Sequence, residues 1–242
     1  MAKNKKAKQE ARKKLQAQFI DYFEEAQDIL QEEESAFLTA EQQDRFSKAI
    51  NKMRELVEQG ANPNSRYARN TNEIEDSLLV EAAQMPAPML AHALLDMGAN
   101  PRENGNRRLI HTITDHYIIN APKFLHKPKA HADWLALIKR LHTMGADFTT
   151  RIKKEGPVTS ERPVSPLEFV RLAQEEFEAD RVLPFIGRIF RRYLGQLEYL
   201  LQSCTLQGPA SDSHAGSVDR DGHKRTFLER LPGAAATDRG MS

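Results

Sequence analysis

The stretch Met89-Leu90-Ala91-His92-Ala93-Leu94-Leu95-Asp96-Met97-Gly98-Ala99-Asn100-Pro101 decides how this 242-residue chain is read. A mostly apolar run that suits a helix ends at a glycine, which takes the left-handed conformation closing a helix without a Cβ penalty. The same close recurs as Gly60-Ala61-Asn62-Pro63 and as Gly145-Ala146-Asp147-Phe148. Each follows an apolar stretch with helical periodicity, so three helices are expected to end in near-copies of one turn.

Working back from Gly98, Ser77-Leu78-Leu79-Val80-Glu81-Ala82-Ala83 followed by the Met89 run has the pattern of two short antiparallel helices. The frame fits again at Arg108-Leu109-Ile110-His111-Thr112-Ile113, leading into Trp134-Leu135-Ala136-Leu137-Ile138-Lys139-Arg140-Leu141, and once more at Ser165-Pro166-Leu167-Glu168-Phe169-Val170. These residues resemble the ankyrin repeat family. Its pattern is a Thr-Pro-Leu-His-like start to an inner helix, a short turn, an outer helix ending in paired leucines, and a Gly-Ala-Asp/Asn close.

The resemblance covers residues 39–200 and implies an all-α fold, a short ankyrin-like solenoid of about three to four irregular helix-turn-helix repeats. Helical caps and disordered tails complete it. Turns 38 and 47 residues apart exceed the ~33 of the family, and the excess has places: between Gly60 and Ser77, from Asp115 to His131, and between Gly145 and Ser165. Pro122 and Pro128 forbid a regular helix throughout the second of these. Ser165, Pro166 and Glu168 form a capping box with proline at the first helical position, and Thr39 with Gln42 forms a similar box. Residues 39–60 fit either a degenerate first repeat or one continuous helix through Phe46, Ile50, Met53, Leu56 and Val57. Beyond Phe169 no further glycine close appears, so Leu183 to Leu201 is expected to form the terminal helix.

The ends of the chain differ from its middle. Residues 1–14 carry Lys3, Lys5, Lys6, Lys8, Arg12, Lys13 and Lys14 against Glu10 alone, whereas residues 21–34 carry seven acidic side chains and no basic one. Positive charge at a helix N-terminus opposes the helix dipole by ~0.3–1 kcal/mol per site. Residues 1–14 are therefore expected to be a disordered basic arm, and 15–38 an amphipathic capping helix with Leu15, Phe19, Phe23, Ala26, Ile29 and Leu30 as its stripe. Residues 39–205 make the repeat domain. Residues 206–242, rich in Gly, Ser, Pro and Ala, bury too little to offset their ordering entropy and read as a disordered tail, with Phe227-Leu228-Glu229-Arg230-Leu231 as a short docking-like stretch.

No stretch reaches the ~20 apolar residues of a membrane-spanning helix, and no apolar signal core follows the basic start. Cys204 is the only cysteine, which excludes an internal disulfide and makes a reducing, cytoplasmic location the simplest home. Export without a cleavable signal stays open. The 35 basic and 34 acidic residues give a net charge of +1, so there is no global pull toward polyanions.

Motifs for catalysis are missing: there is no phosphate-cradling Gly-x-x-x-x-Gly-Lys-Ser/Thr, no Gly-x-Ser-x-Gly and no His-Glu-x-x-His. The expectation is a non-enzyme with no cofactor and no metal. His111, Asp115 and His116 are the densest group of metal-ligand types, but the resemblance gives His111 the family's turn-bracing role. His126 and His131 are expected to be solvated. Asp219-Arg220-Asp221-Gly222 echoes a calcium loop yet places Leu228 where the glutamate belongs. An enzyme reading would require a pocket lined by His111, His116 and Asp115.

Binding remains. The resemblance implies partner contact through the tips between repeats and the edge of the inner helices. By position those tips carry Arg66, Tyr67, Arg69, Arg102, Arg107, Arg108, Arg151, Lys153 and Lys154, types among which arginine and tyrosine are enriched at hot spots. The expected function is a protein-protein interaction module or adaptor binding a partner with acidic features. The alternative is a tether to nucleic acid, ribosome or anionic membrane through the lysine-rich arm.

Overall fold

Each of the three glycine turns closes its helix with the same pair of hydrogen bonds. In the computed structural model, α2 (Ala40–Glu58), α4 (Met89–Asp96) and α6 (Pro128–Thr143) precede Gly60, Gly98 and Gly145, whose φ angles are 110°, 92° and 79°. The glycine amides donate to Val57, Leu95 and His142 carbonyls, and the following alanine amides reach back to Leu56, Leu94 and Leu141, each at 2.9 Å. Three orphan-carbonyl ends are satisfied by one motif, in which the residue after glycine packs toward the last turn. Leu56, Leu94, Leu141 and the three alanines are all buried.

The structure describes residues 2–31, 38–67, 76–102, 106, 108–126, 128–154, 160–179 and 184–207. It omits the side chains of 2–5, 125, 126, 154, 160, 161, 177–179 and 184–190. The described chain is mostly helical. The other helices are α1 (Ala2–Gln31), α3 (Leu78–Ala83), α5 (Leu109–Asn120), α7 (Pro166–Ala179) and α8 (Pro184–Gln207), with a 3-10 helix at Ala121–His126. Two short antiparallel hairpins join them: β1 (Arg66–Tyr67) with β2 (Asp76–Ser77), and β3 (Ile152–Lys154) with β4 (Ser160–Val164). These strands lie in two of the long connections and modify the all-α expectation.

Helices pack in order, α1 on α2, α3 on α4, α5 on α6 and α7 on α8, while α3, α5 and α7 also touch in succession. Phe19, Phe23, Ala26, Ile29 and Leu30 of α1 are buried, as the stripe requires, and so are Phe46, Ile50, Met53 and Leu56 of α2. Residues 40–58 form one continuous helix. Both capping boxes are present: Gln42 with Thr39, and Glu168 with Ser165. Ser77 caps α3, its hydroxyl accepting from the Val80 amide at 3.2 Å.

Three boundaries move. The helix expected from residue 15 starts at Ala2, so the basic segment is helical rather than a disordered arm. Once the buried stripe has nucleated a helix, each further residue adds a bond at little cost. The terminal helix runs from Pro184 through Gln207, two residues into the expected tail; residues 208–242 lie outside the described residues. In the Asp115–His131 segment, α5 continues to Asn120, Pro122 falls in the 3-10 helix, and Pro128 opens α6.

That last segment builds a junction. His131, expected to be solvated, packs its ring 4.7 Å from Tyr193, 5.5 Å from Phe124 and 5.8 Å from Tyr117. The Tyr117 hydroxyl donates to the Tyr193 carbonyl at 3.1 Å, and the Tyr193 hydroxyl to the Phe124 carbonyl at 3.2 Å. Burial, reinforced by Arg192, lowers the His131 pKa from its usual 6.5. Sealed Nε2 has no hydrogen-bond partner among the described residues.

Two predictions follow from this geometry. A Cβ on Gly60 or Gly98 would meet open space, but one on Gly145 would collide with the Arg102 guanidinium. Gly60→Ala and Gly98→Ala should cost the ~1–2 kcal/mol of a left-handed alanine, and Gly145→Ala more, measured by denaturant unfolding. Adding Arg102→Ala should recover part of the Gly145→Ala excess, a coupling readable in a double-mutant cycle. For His131, the folded state binds fewer protons than the unfolded chain, so stability holds above about pH 6.5 and falls as pH drops toward the lowered pKa. Thermal melts from pH 8 to pH 5 should show a smaller decline in His131→Phe than in the parent.

Candidate functional site

The segment after each glycine close is also built one way. The side-chain oxygens of Asn62, Asn100 and Asp147 accept from the amide two residues on, at 3.0, 3.0 and 2.7 Å. This is the reason for Asn, Asn and Asp: a short polar side chain that turns the backbone by accepting from it. Asp147 goes further, accepting from the Thr149 hydroxyl at 2.7 Å, the Thr150 amide at 3.1 Å and the Thr150 hydroxyl. Burial opposes its charge, but these donors outweigh it and hold the carboxyl below its usual range.

Neighbouring turns are tied to each other. Gln16 of α1 accepts from the Asn62 amide at 2.9 Å and donates to Ser65 Oγ at 2.7 Å. Asn64 accepts from the Asn100 amide at 2.6 Å, and Arg102 Nε donates to the Met144 carbonyl at 2.9 Å. Buried Asn106 donates to the Asn100 carbonyl and meets the Ser77 hydroxyl, joining the turn to the α3 cap. His111, buried at the start of α5, lies with Nε2 3.0 Å from the Thr150 carbonyl. Since a carbonyl only accepts, this nitrogen carries the proton, and the histidine braces the third turn as the resemblance implies.

Beside His111, between the end of α3, α5 and the two hairpins, lies a half-open polar cleft of about 470 Å³. Asp76, Gln84, Arg108, His111, Thr112, Asp115, His116, Ile152 and Lys153 line it, contributed by β2, the end of α3, α5 and β3. Asp76 pairs across the first hairpin with Tyr67, and burial raises its pKa against the opposing pull of Arg108 and Arg66. Two cations and two carboxylates face the same space, so the cleft is bipolar rather than purely basic.

Among the nine expected contact residues, Arg108 and Lys153 line this cleft, and Arg66 is exposed beside it, acting on Asp76. Arg151 is exposed and paired with Glu168 at 2.8 Å. Tyr67 is a correction: it is only 7% exposed, packs edge-on to Phe23 at 5.9 Å, and its hydroxyl donates to Glu24 at 2.5 Å. Arg102 is exposed but its guanidinium is spent on the third turn. Arg69, Arg107 and the Lys154 side chain lie outside the described residues. Asp76 and Gln84 were missed, and Asp115 and His116 were weighed only as metal or enzyme groups. The offset of four from His111 to Asp115, and from Thr112 to His116, was the available signal for placing each pair on one face.

Chemically the cleft can form ion pairs and hydrogen bonds of both signs. His111, Asp115 and His116 do line one pocket, the condition set for an enzyme reading, though no three His, Cys, Asp or Glu groups among the described residues converge to hold a metal. Cys204 is buried in α8, and burial pushes its thiol up to about 11, against a smaller pull from Lys139. No helix among the described residues is long and apolar enough to cross a membrane. Comparison with family models, with curated proteins and with solved structures finds no match to this chain.

Placing Tyr67 inside separates stability from binding at this hairpin. Tyr67→Phe should lower unfolding free energy by ~0.5–1.5 kcal/mol through the lost hydrogen bond, whereas Arg66→Gln should leave the melting temperature within a degree or two. An equal loss in both would mean that Arg66, too, is structural.

Proposed function

We propose that this chain is an ankyrin-like interaction module, and that its bipolar cleft receives a segment of a partner protein. One observation carries the reading. Three turns of the same construction are tied to one another, and the inner helices they position open onto one polar cleft with cations at its rim. Such a face suits a partner that offers a carboxylate to Arg108 and Lys153 and hydrogen-bond donors to Asp76 and Asp115. The acidic character first expected of the partner is thereby narrowed to one end of its contact.

Capture of partners on intact protein, compared with an Arg66→Gln, Arg108→Gln, Lys153→Gln variant, tests this. Quantitative mass spectrometry should show a specific partner depleted at least tenfold on the variant, with the variant still folded and unfolding in one cooperative transition. Arg102 is left out because its loss would weaken the third turn. Retention of every partner by a folded variant sinks the proposed face.

One observation favours a second reading, acid–base chemistry, because His111, Asp115 and His116 share the cleft. Against it stands the commitment of His111 Nε2 to Thr150. His116→Ala separates the two: an interaction module keeps its partner within a few-fold, while a substrate whose turnover depends on His116 accumulates unchanged.

A further inference from the structure

The first half of α1 stands apart from the core. Residues 6–14 are all exposed, and the buried face begins only around Leu15 and Phe19. At 1.5 Å per residue, the helix from Ala2 to Lys14 is about 20 Å long. It carries seven cations and one carboxylate, Glu10. Among the described residues, Lys6, Lys8, Arg12, Lys13 and Lys14 are all exposed side chains that the core does not use.

Its distribution around the axis matters more than its amount. At about 100° per residue, Lys6, Lys13 and Lys14 fall on one side of the helix, and Lys8 and Arg12 on the other. All five are exposed. A flat anionic surface can satisfy only one of these sides. A bilayer also requires an apolar face of Leu, Phe or Trp to bury, and residues 2–14 offer nothing more apolar than Ala2, Ala7 and Ala11.

A groove walled by phosphates on both sides satisfies both sets. The major groove of B-form DNA is ~12 Å wide and admits a helix whose breadth with side chains is ~10–12 Å. The deep, narrow major groove of A-form RNA does not. Further along α1, exposed Asp21, Glu24, Glu25 and Asp28 repel phosphate and confine the contact to the basic half. Phosphate near the N-terminus also relieves the opposition between the lysines and the helix dipole.

We propose that residues 2–14 of α1 form a DNA-binding helix that lies in the major groove and grips the phosphates on both of its walls without sequence preference. Lysines and an arginine directed at phosphates position a helix but carry no base readout. The cleft and its partner are independent of this element, so either can fail without the other.

The test is fluorescence anisotropy with the full chain and a labelled 20-base-pair DNA duplex of mixed sequence, run beside an RNA duplex and phosphatidylserine vesicles. DNA should bind with a Kd of about 1–100 µM near physiological salt, with a log–log salt slope steeper than about −3. Lys8→Gln with Arg12→Gln, and separately Lys6→Gln with Lys13→Gln, should each weaken binding at 100 mM salt by about tenfold or more and flatten the slope by about 2. Both variants should melt like the parent, because these side chains touch no core. No DNA binding at 50 mM salt, undiminished binding in either variant, or a preference for RNA or vesicles overturns the proposal.

Discussion

A helix that ends in left-handed glycine fixes the direction of the chain that follows, and this molecule depends on making that closure three times. At Gly60, Gly98 and Gly145 the reversal is held by two backbone bonds and an alanine tucked beneath a leucine four residues before the glycine. No other residue adopts this conformation without cost. Because the Asx bond comes directly after, the chain leaves each helix at a set angle, and the next turn meets side chains already in place. Gln16, Asn64 and Arg102 then perform the same task with different chemistry, each reaching the backbone of the following turn.

The cleft is a product of that order. Its residues come from β2, α3, α5 and β3, which are far apart in sequence, and two buried polar side chains connect the framework behind them. Asn106 ties the second turn to the α3 cap, and His111 ties α5 to the third turn. A buried polar group that lost such a partner would cost about 1–3 kcal/mol, so these bonds define one arrangement rather than many. Asp147, surrounded by donors from Thr149 and Thr150, holds the carbonyl that His111 needs.

What could be read from the sequence is what local rules decide. Gly98 and its two copies and the Ser165–Glu168 and Thr39–Gln42 boxes each involve residues within six positions, and all were legible; the Ser77 cap is as local but was passed over. Tyr67 and His131 were misread because their fates rest on distant residues. Tyr67 finds Glu24 43 residues away, and His131 finds Tyr193 from the far end of the chain. Arg102 looked like an available cation for the same reason: the Met144 carbonyl that engages it lies 42 residues on. The dipole argument for a frayed arm was correct in sign but small beside the cooperativity of a helix anchored by Phe19 and Phe23. As for the cleft, two of its cations were found by loop position, while Asp76 escaped because its burial between Arg66 and Arg108 depends on the hairpin.

Rigid supports and opposed charges together determine how such a cleft discriminates. Ordering a loop or a rotamer-rich side chain on binding costs about 0.5–1.5 kcal/mol each, and loops tied to one another by turn-to-turn bonds have already met the backbone's share of that cost. If the cleft binds as proposed, charge of both signs narrows the choice of partner. A purely acidic segment that satisfies Arg108 and Lys153 brings like charge against Asp76 and Asp115, whereas a purely basic one reverses the conflict. Rejection by unpaired or like charge is how a shallow polar site gains specificity that its area cannot supply. The raised pKa of Asp76 sharpens this, since burial already disfavours its charge even with two arginines near it. A partner that donates a hydrogen bond there relieves the penalty, and one that displaces Arg66 or Arg108 without replacing their charge deepens it. On the function proposed above, the occupant that fits is one carrying donor and carboxylate a short distance apart, as an extended peptide does when an acidic side chain follows a free backbone amide.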